Sequence, residues 1–290
     1  MNPPGTCVKG RPLNSFAMDK TDMQEEDTKH PMFVTALARG LEILKCFTAD
    51  RQELGTTEIA RETGLAQSTV WRLCYTLTTL GYLVPGRTPD RLRIGAGVLL
   101  LGHAAITHTG IAEFAQPLMK ELADSFEVSV SLGERYRDGM VIVQRSEARG
   151  ILSVNLHVGS SLDLANSSLG WAYLAAIGDE AREALMAKLR ASAPDEWEAK
   201  SRDIAEAIRN YRRSGFVFNL GKSHRDINAI GVPVISADGK RVMALTCGGA
   251  RSHMTRERLV SVLVPELQAL AQRIAPLIPV DEPGGARRKR

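Results

Sequence analysis

Apolar residues recur along this chain first at helical spacing and later in alternation. Leu37, Leu41 and Leu44 fall at i, i+4 and i+7, and Ile43 and Phe47 widen the stripe, which predicts a helix over 34–47. The polar stretch 50–55 ends in Gly55 and predicts a loop. A short helix over 57–63 follows, with Thr56 or Thr57 as its cap and Glu58 in its first turn, and it stops at Gly64. A third helix starts near Gln67 on the stripe Val70, Leu73, Leu77 and Leu80, and ends at Gly81. Two short apolar runs, 82–84 and 91–94, flank Pro85-Gly86-Arg87-Thr88-Pro89-Asp90 and predict a hairpin. The segment 95–108 is a short apolar helix with little charge.

From 109 onward the periods mix. Helical patterns cover 111–126, 168–177, 179–190, 195–214 and 259–277. Alternation predicts strands over 127–135, 140–144, 151–158, 216–219, 229–235 and 241–246, with turns at Asp138-Gly139 and Ala237-Asp238-Gly239. A five- or six-stranded antiparallel sheet covered by helices is the economical packing. The expected class is α+β, divided into a disordered tail at 1–32, a winged helix-turn-helix at 33–94, a linker helix at 95–108, an effector domain at 109–280 and a basic tail at 281–290. Met18, Met23 and Met32 are alternative starts.

Composition changes this picture little. Of 290 residues, 44% are apolar and 24% charged, which is ordinary for a globular protein. No apolar run is long enough for a membrane helix, and residues 1–32 hold no secretory h-region, so a cytoplasmic protein without a membrane partner is expected. Cys7, Cys46, Cys74 and Cys247 are scattered without metal or disulfide spacing, and a buried, inert thiol is expected of Cys247. His30, His103, His108, His157, His224 and His253 have no i,i+4 partner, so no metal is expected. Gly221-Lys222-Ser223 misses the phosphate-loop pattern, because Phe216 stands where a glycine is required. No nucleophile–base pair emerges, so neither a catalytic residue nor a cofactor is expected.

The net charge, 37 − 33 = +4, matters less than its location. Residues 66–94 carry Arg72, Arg87, Arg91 and Arg93 against Asp90 alone. A short helix, a glycine turn and a second helix form the helix-turn-helix pattern, whose second helix enters the DNA major groove. Its outward residues are Gln67, Ser68, Trp71 and Arg72. Gln pairs with adenine and Arg with guanine, while Ser68 and Thr69 suit a phosphate at the helix start. Arg87, Arg91 and Arg93 lie in the hairpin, where a wing crosses the backbone or minor groove. The plainer reading of the same spacing is a protein-binding three-helix module with a solvated basic face.

Several segments resemble the IclR (isocitrate lyase regulator) family of bacterial transcription regulators. They are ALARGLEIL at 36–44, Glu58-Ile59-Ala60, Gly64-Leu65, STVWRL at 68–73 and Leu80-Gly81-Tyr82. Later come GWAYLA at 170–175, Arg213-Ser214-Gly215-Phe216, NAIGVPV at 228–234 and ALTCGG at 244–249. Ala66 replaces the family's usual proline, Asp163-Leu164-Ala165-Asn166 lacks its Pro-His pair, and Lys222-Ser223-His224 replaces an acidic pair.

The resemblance implies a winged helix-turn-helix, a linker helix and a GAF-like effector-binding domain. It implies a one-component regulator that binds double-stranded operator DNA as a homodimer or homotetramer. A small organic-acid metabolite would control it, contacting Ser167, Ser168, Leu169, Asn219, Ala229, Thr246 and Gly248. Helix 95–108 is the natural dimer contact. Ser167 and Ser168 equally serve as a plain helix cap, and Thr246 as a half-buried strand residue. Two rival readings are a metabolite-sensing module acting through protein partners and a small hydrolase or lyase on 109–280.

Overall fold

The computed structural model describes residues 30–48, 50–108, 111–150 and 156–279. The expected tail at 1–32, apart from its last three residues, and the basic tail at 281–290 lie outside them. The chain forms two compact units, Met1–His103 and Ala104–Arg290.

The first unit contains α1 (Thr35–Lys45), β1 (Glu53–Gly55), α2 (Thr56–Thr63), α3 (Gln67–Thr79), β2 (Leu83–Pro85), β3 (Arg91–Ile94) and the start of α4 (Gly97–His108). Its core is Ile43, Cys46, Leu54, Ile59, Val70, Cys74 and Leu83. Three expectations are corrected here. Residues 53–55 are not loop: they pair antiparallel with Arg91–Arg93 as the outer strand of a sheet ordered β1-β3-β2. Leu54 alone anchors that strand, and one buried side chain in three residues is too short a run to show alternation. The cap of α2 is Gly55, not Thr56 or Thr57, because Glu58 reaches back to accept from the Gly55 amide at 2.8 Å. Finally, Leu37 and Leu41 on α1 and Leu80 beyond α3 are exposed, while Ile43 and Cys74 point inward. Only the C-terminal end of α1 meets this small core, and Leu80 lies past the last helical turn, where the stripe has rotated away.

The second unit contains α5 (Ile111–Phe126), β4 (Ser129–Tyr136), β5 (Gly139–Glu147), β6 (Ser161–Asp163), α6 (Ser168–Ala176), α7 (Asp179–Ser192), α8 (Trp197–Ser214), β7 (Val217–Leu220), β8 (Ile227–Ile235) and β9 (Val242–Ala250). The six strands form one antiparallel sheet, in the order β6-β5-β4-β9-β8-β7. One face carries Val130, Leu132, Ile230, Val232, Leu245 and Cys247 against α5 and the last helix. The other carries Met140, Ile142, Val217 and Ala244 against α6, α7 and α8.

Two further expectations are corrected. The strand expected at 151–158 falls mostly outside the described residues, and 156–158 is not strand; β6 takes the edge instead. The last helix is not uniform. It begins at Arg256–Arg258, passes through a π-helical stretch at Leu259–Leu263, and continues as α9 (Val264–Ile274). Pro265 has no N–H to give Ser261 and crowds that turn, so the ladder widens and the Val264 amide donates to Leu259 instead.

Glu58 links this fold to pH. The Gly55 amide, and secondarily Arg91, hold its carboxyl below its ordinary value of 4.5. A depressed carboxylate stabilises the native state above its unfolded pKa, and that contribution disappears as pH falls through the lower folded value. Glu58→Gln is therefore expected to flatten the acid limb of the stability curve below about pH 5, measured by urea unfolding at several pH values. An unchanged acid limb counts against the cap.

Candidate functional site

The first candidate is a nucleic-acid interface on the first unit. Gly64 adopts φ +64°, a left-handed turn that suits glycine, and so α3 turns sharply away from α2. Val70 and Cys74 fix α3 to the core, which leaves Gln67, Ser68, Trp71 and Arg72 exposed and Thr69 half-buried. Trp71 is 63% exposed and stacks on the equally exposed Tyr75, with ring centroids 6.3 Å apart. Tyr75 was not foreseen, although its i+4 spacing from Trp71 was the available signal. Arg72 has no ion-pair partner among the described residues. Gln67 is partly occupied, because its Nε2 donates to Thr56 at 2.9 Å. Ala66 caps α3 with no side-chain hydrogen bond.

The wing arginines divide. Arg91 turns back to the Glu53 carbonyl at 2.8 Å and the Glu58 carboxylate at 3.3 Å. Arg87 pairs with Glu53 at 3.2 Å. Arg93, exposed, donates to the Pro85 carbonyl at 3.3 Å. The local charge counted over 66–94 missed Glu53 and Glu58, which β1 and α2 bring under the wing.

The second candidate lies on the α6 face of the large sheet. Strand register aligns Glu147, Ser129, Gly248, Ala229 and Asn219 in one row, and Arg145, Ser131, Thr246, Gly231 and Val217 in the next. Four of the expected ligand residues therefore sit together: Asn219, Ala229 and Gly248 in the first row, Thr246 in the second. The other three, Ser167, Ser168 and Leu169, start α6 and are buried. They face the same rows, since a Cβ on Gly231 would meet the Ser168 oxygen at 2.7 Å and Thr246 Cγ2 at 3.2 Å.

Several of these residues already have structural work. Ser167 is the α6 cap and accepts from the Gly170 amide at 3.0 Å. Asn219 Oδ1 accepts from the Lys222 and Ser223 amides at 3.1 and 3.0 Å, and its Nδ2 donates to Ser223 Oγ at 2.7 Å. That side chain shapes the 220–223 turn. At Gly248 a Cβ would meet the Asn228 oxygen at 2.7 Å and the Ala229 Cβ at 2.8 Å, so the neighbouring strand takes the space that the missing side chain leaves.

None of the seven residues expected at this site is a cation. The structure supplies Arg145, because β5 continues to Glu147 rather than ending at Gln144. Its side chain is only 7% exposed and donates through Nη1 to Ser131 Oγ at 2.6 Å. Alternation from Met140 and Ile142 marks Arg145 as outward, so the sequence carried no signal for it; the register shift between Leu132 and Gly133 turns it to the α6 face. Cys247 lies on the opposite face, where burial pushes its thiol up to about 12; burial likewise raises Cys46 and Cys74 to about 11. These thiols are poor nucleophiles at neutral pH.

Comparisons with known proteins agree with this architecture. The family model described as IclR helix-turn-helix domain matches residues 36–86, and that described as Bacterial transcriptional regulator IclR C-terminal matches 103–276. The chain is 31% identical over 244 residues to the HTH-type transcriptional regulator TsaQ1/TsaQ2 of Comamonas testosteroni, covering 83% of this chain and 87% of that one. It is 27% identical to the Pca regulon regulatory protein of Pseudomonas putida, covering 84% of each. The crystal structure of an IclR family transcriptional regulator from Brucella abortus aligns with a TM-score of 0.80 and 34% identity, covering 89% of this chain and 98% of that one.

Proposed function

The chain belongs to the IclR family of bacterial transcriptional regulators, and on that premise we propose a one-component regulator whose operator affinity or activity answers to a small organic acid. The carrying observation is the outer face of α3: exposed Trp71, Tyr75 and an unpaired Arg72, beside a wing that presents Arg93. Arg72 is the base-reading cation, Ser68 and Thr69 meet a phosphate at the helix start, and Gln67 reads a base once released from Thr56. Arg87 and Arg93 contact the backbone, and Arg91 holds the wing in shape. The proposed division keeps 33–94 for DNA, 95–108 as linker and 109–280 for the effector.

Operators with two-fold symmetry require a dimer, with half-sites about one helical turn apart or a multiple of it. The exposed Leu99, Leu100 and Leu101 of α4 offer an apolar surface for that contact. In the second unit, Ser167, Ser168 and Leu169 at the start of α6, with Asn219, Ala229, Thr246 and Gly248 below, frame the effector. Helix-start amides and hydroxyls suit a carboxylate.

The test is a salt-dependent titration and footprint on the DNA upstream of the protein's own gene. Two protected half-sites are expected. Arg72→Ala is expected to weaken binding by about 1–3 kcal/mol while leaving the melting transition unchanged. Salt-independent, sequence-blind binding would overturn the reading.

A further inference from the structure

We propose that Arg145 is the residue that reads the effector's carboxylate, and that Glu147 occupies its guanidinium until the effector arrives. This rests on the organic-acid reading above and names the chemistry of that site.

A guanidinium does not discharge at physiological pH, so burying one costs free energy unless it is fully paired. Arg145 is more than nine-tenths buried, yet its pairing is incomplete. Nη1 donates to Ser131 Oγ, and Nε donates to Glu147 Oε1, each at 2.6 Å. Nη2 lies beside the same Glu147 oxygen but, among the described residues, is buried without a hydrogen-bond partner of its own. The strong form of this pairing is a fork, in which two carboxylate oxygens meet two N–H groups. Here Glu147 brings Oε1 alone to both nitrogens. It stands two residues along the same strand, so its side chain runs beside Arg145 rather than facing it end-on.

The surroundings of Arg145 suit a ligand. Ser131 pairs across the sheet with both Arg145 and Thr246, which puts one hydroxyl beside the cation and a second one strand further along the same row. That row faces the first turn of α6, since a Cβ on Gly133, two residues along from Ser131, would meet Leu169 Cδ1 at 2.9 Å. Leu169 and Val217 give the face an apolar character. Glu147 is the more exposed partner, at 35% of its side chain against 7% for Arg145. The carboxylate of Glu147 also disfavours a dianion. The class that fits is therefore a monocarboxylate with an apolar body.

Two substitutions at one ion pair separate this proposal from a structural role. Calorimetry on the full chain would use benzoate, phenylacetate and hexanoate, with benzamide and phthalate as uncharged and dianionic controls. At least one monocarboxylate is expected to bind, and benzamide and phthalate to bind more weakly. Arg145→Gln is expected to cost at least about tenfold in affinity for that acid, the scale of a hydrogen bond to a charged group. Arg145→Lys keeps the charge and should recover part of the loss; it also serves if the glutamine variant does not fold. Glu147→Gln removes the competing anion and should tighten the same acid.

A structural ion pair would instead make both variants bind more weakly. That result, or an acid indifferent to both substitutions, overturns the role of Arg145 and leaves the organic-acid reading intact. If none of the three acids binds, or if benzamide binds as tightly as benzoate, both fall.

Discussion

Gly170→Ala is expected to destabilise the second unit by about 3 kcal/mol, at the upper end of what overpacking a core usually costs. Gly170 lies in the first turn of α6 and is buried. A Cβ there would fall on the Leu164 carbonyl oxygen, and on the carbonyl carbon and Cα behind it. These are backbone atoms, so no side chain can rotate away. The same turn is fastened twice more, by Ser167 Oγ accepting from the Gly170 amide at 3.0 Å and by Trp171 Nε1 donating to the Ala165 carbonyl at 2.8 Å. The helix cannot lift without breaking both. The start of α6 is also one wall of the proposed effector site, so the variant should lose its response to any acid that the wild type binds. Urea unfolding followed by far-UV circular dichroism measures the effect. A loss under about 1 kcal/mol would mean that the 164–167 segment yields more readily than its bonds suggest.

Gly170 also shows what is legible in such a sequence. A glycine-alanine helix with one tryptophan is a recognisable motif, but the reason for the glycine is a contact six residues back along the chain. The same holds for Arg145. Alternation fixed where β5 begins, but the strand's extent depends on β4, its partner through Ser129. Carrying the alternation on from Met140 and Ile142 would have put Arg145 on the opposite face; the register shift between Leu132 and Gly133, which skips Val143, brings it to the inner one. Periodicity also marked Leu37 and Leu41 as an apolar stripe, and it is one; what it does not encode is that nothing among the described residues of the first unit covers it. Local signals did best where the chemistry itself is local, as in the glycine turn before α3 and the Pro/Gly-rich turn of the wing. They failed for charge balance, because Glu53 reaches Arg87 only through β1, three residues long, and Glu58 reaches Arg91 from the first turn of α2.

Ile59→Ala should abolish operator binding by a route different from Arg72→Ala. Ile59 is fully buried, on the inner side of α2, in a cluster of seven buried side chains. Truncating a buried isoleucine costs about 2–5 kcal/mol, and a domain's whole stability is commonly about 5–15 kcal/mol. So small a core has few neighbours to collapse into the cavity, which places the loss toward the upper half of that range. The cluster also joins α2 to α3 through Val70 and Cys74, so the cavity loosens the angle that presents Trp71 and Arg72. Binding and folding should therefore fail together. Cooling should restore part of the DNA affinity, because it repopulates the folded unit, and Ile59→Val, which removes a single methylene, should keep most of it. Arg72→Ala should lose affinity equally at every temperature with its melting unchanged. A gel-shift series at several temperatures, beside thermal unfolding of the same preparations, separates the two. If Ile59→Ala bound the operator normally at a temperature where its first unit had unfolded, the α3 face would not be the DNA-reading surface.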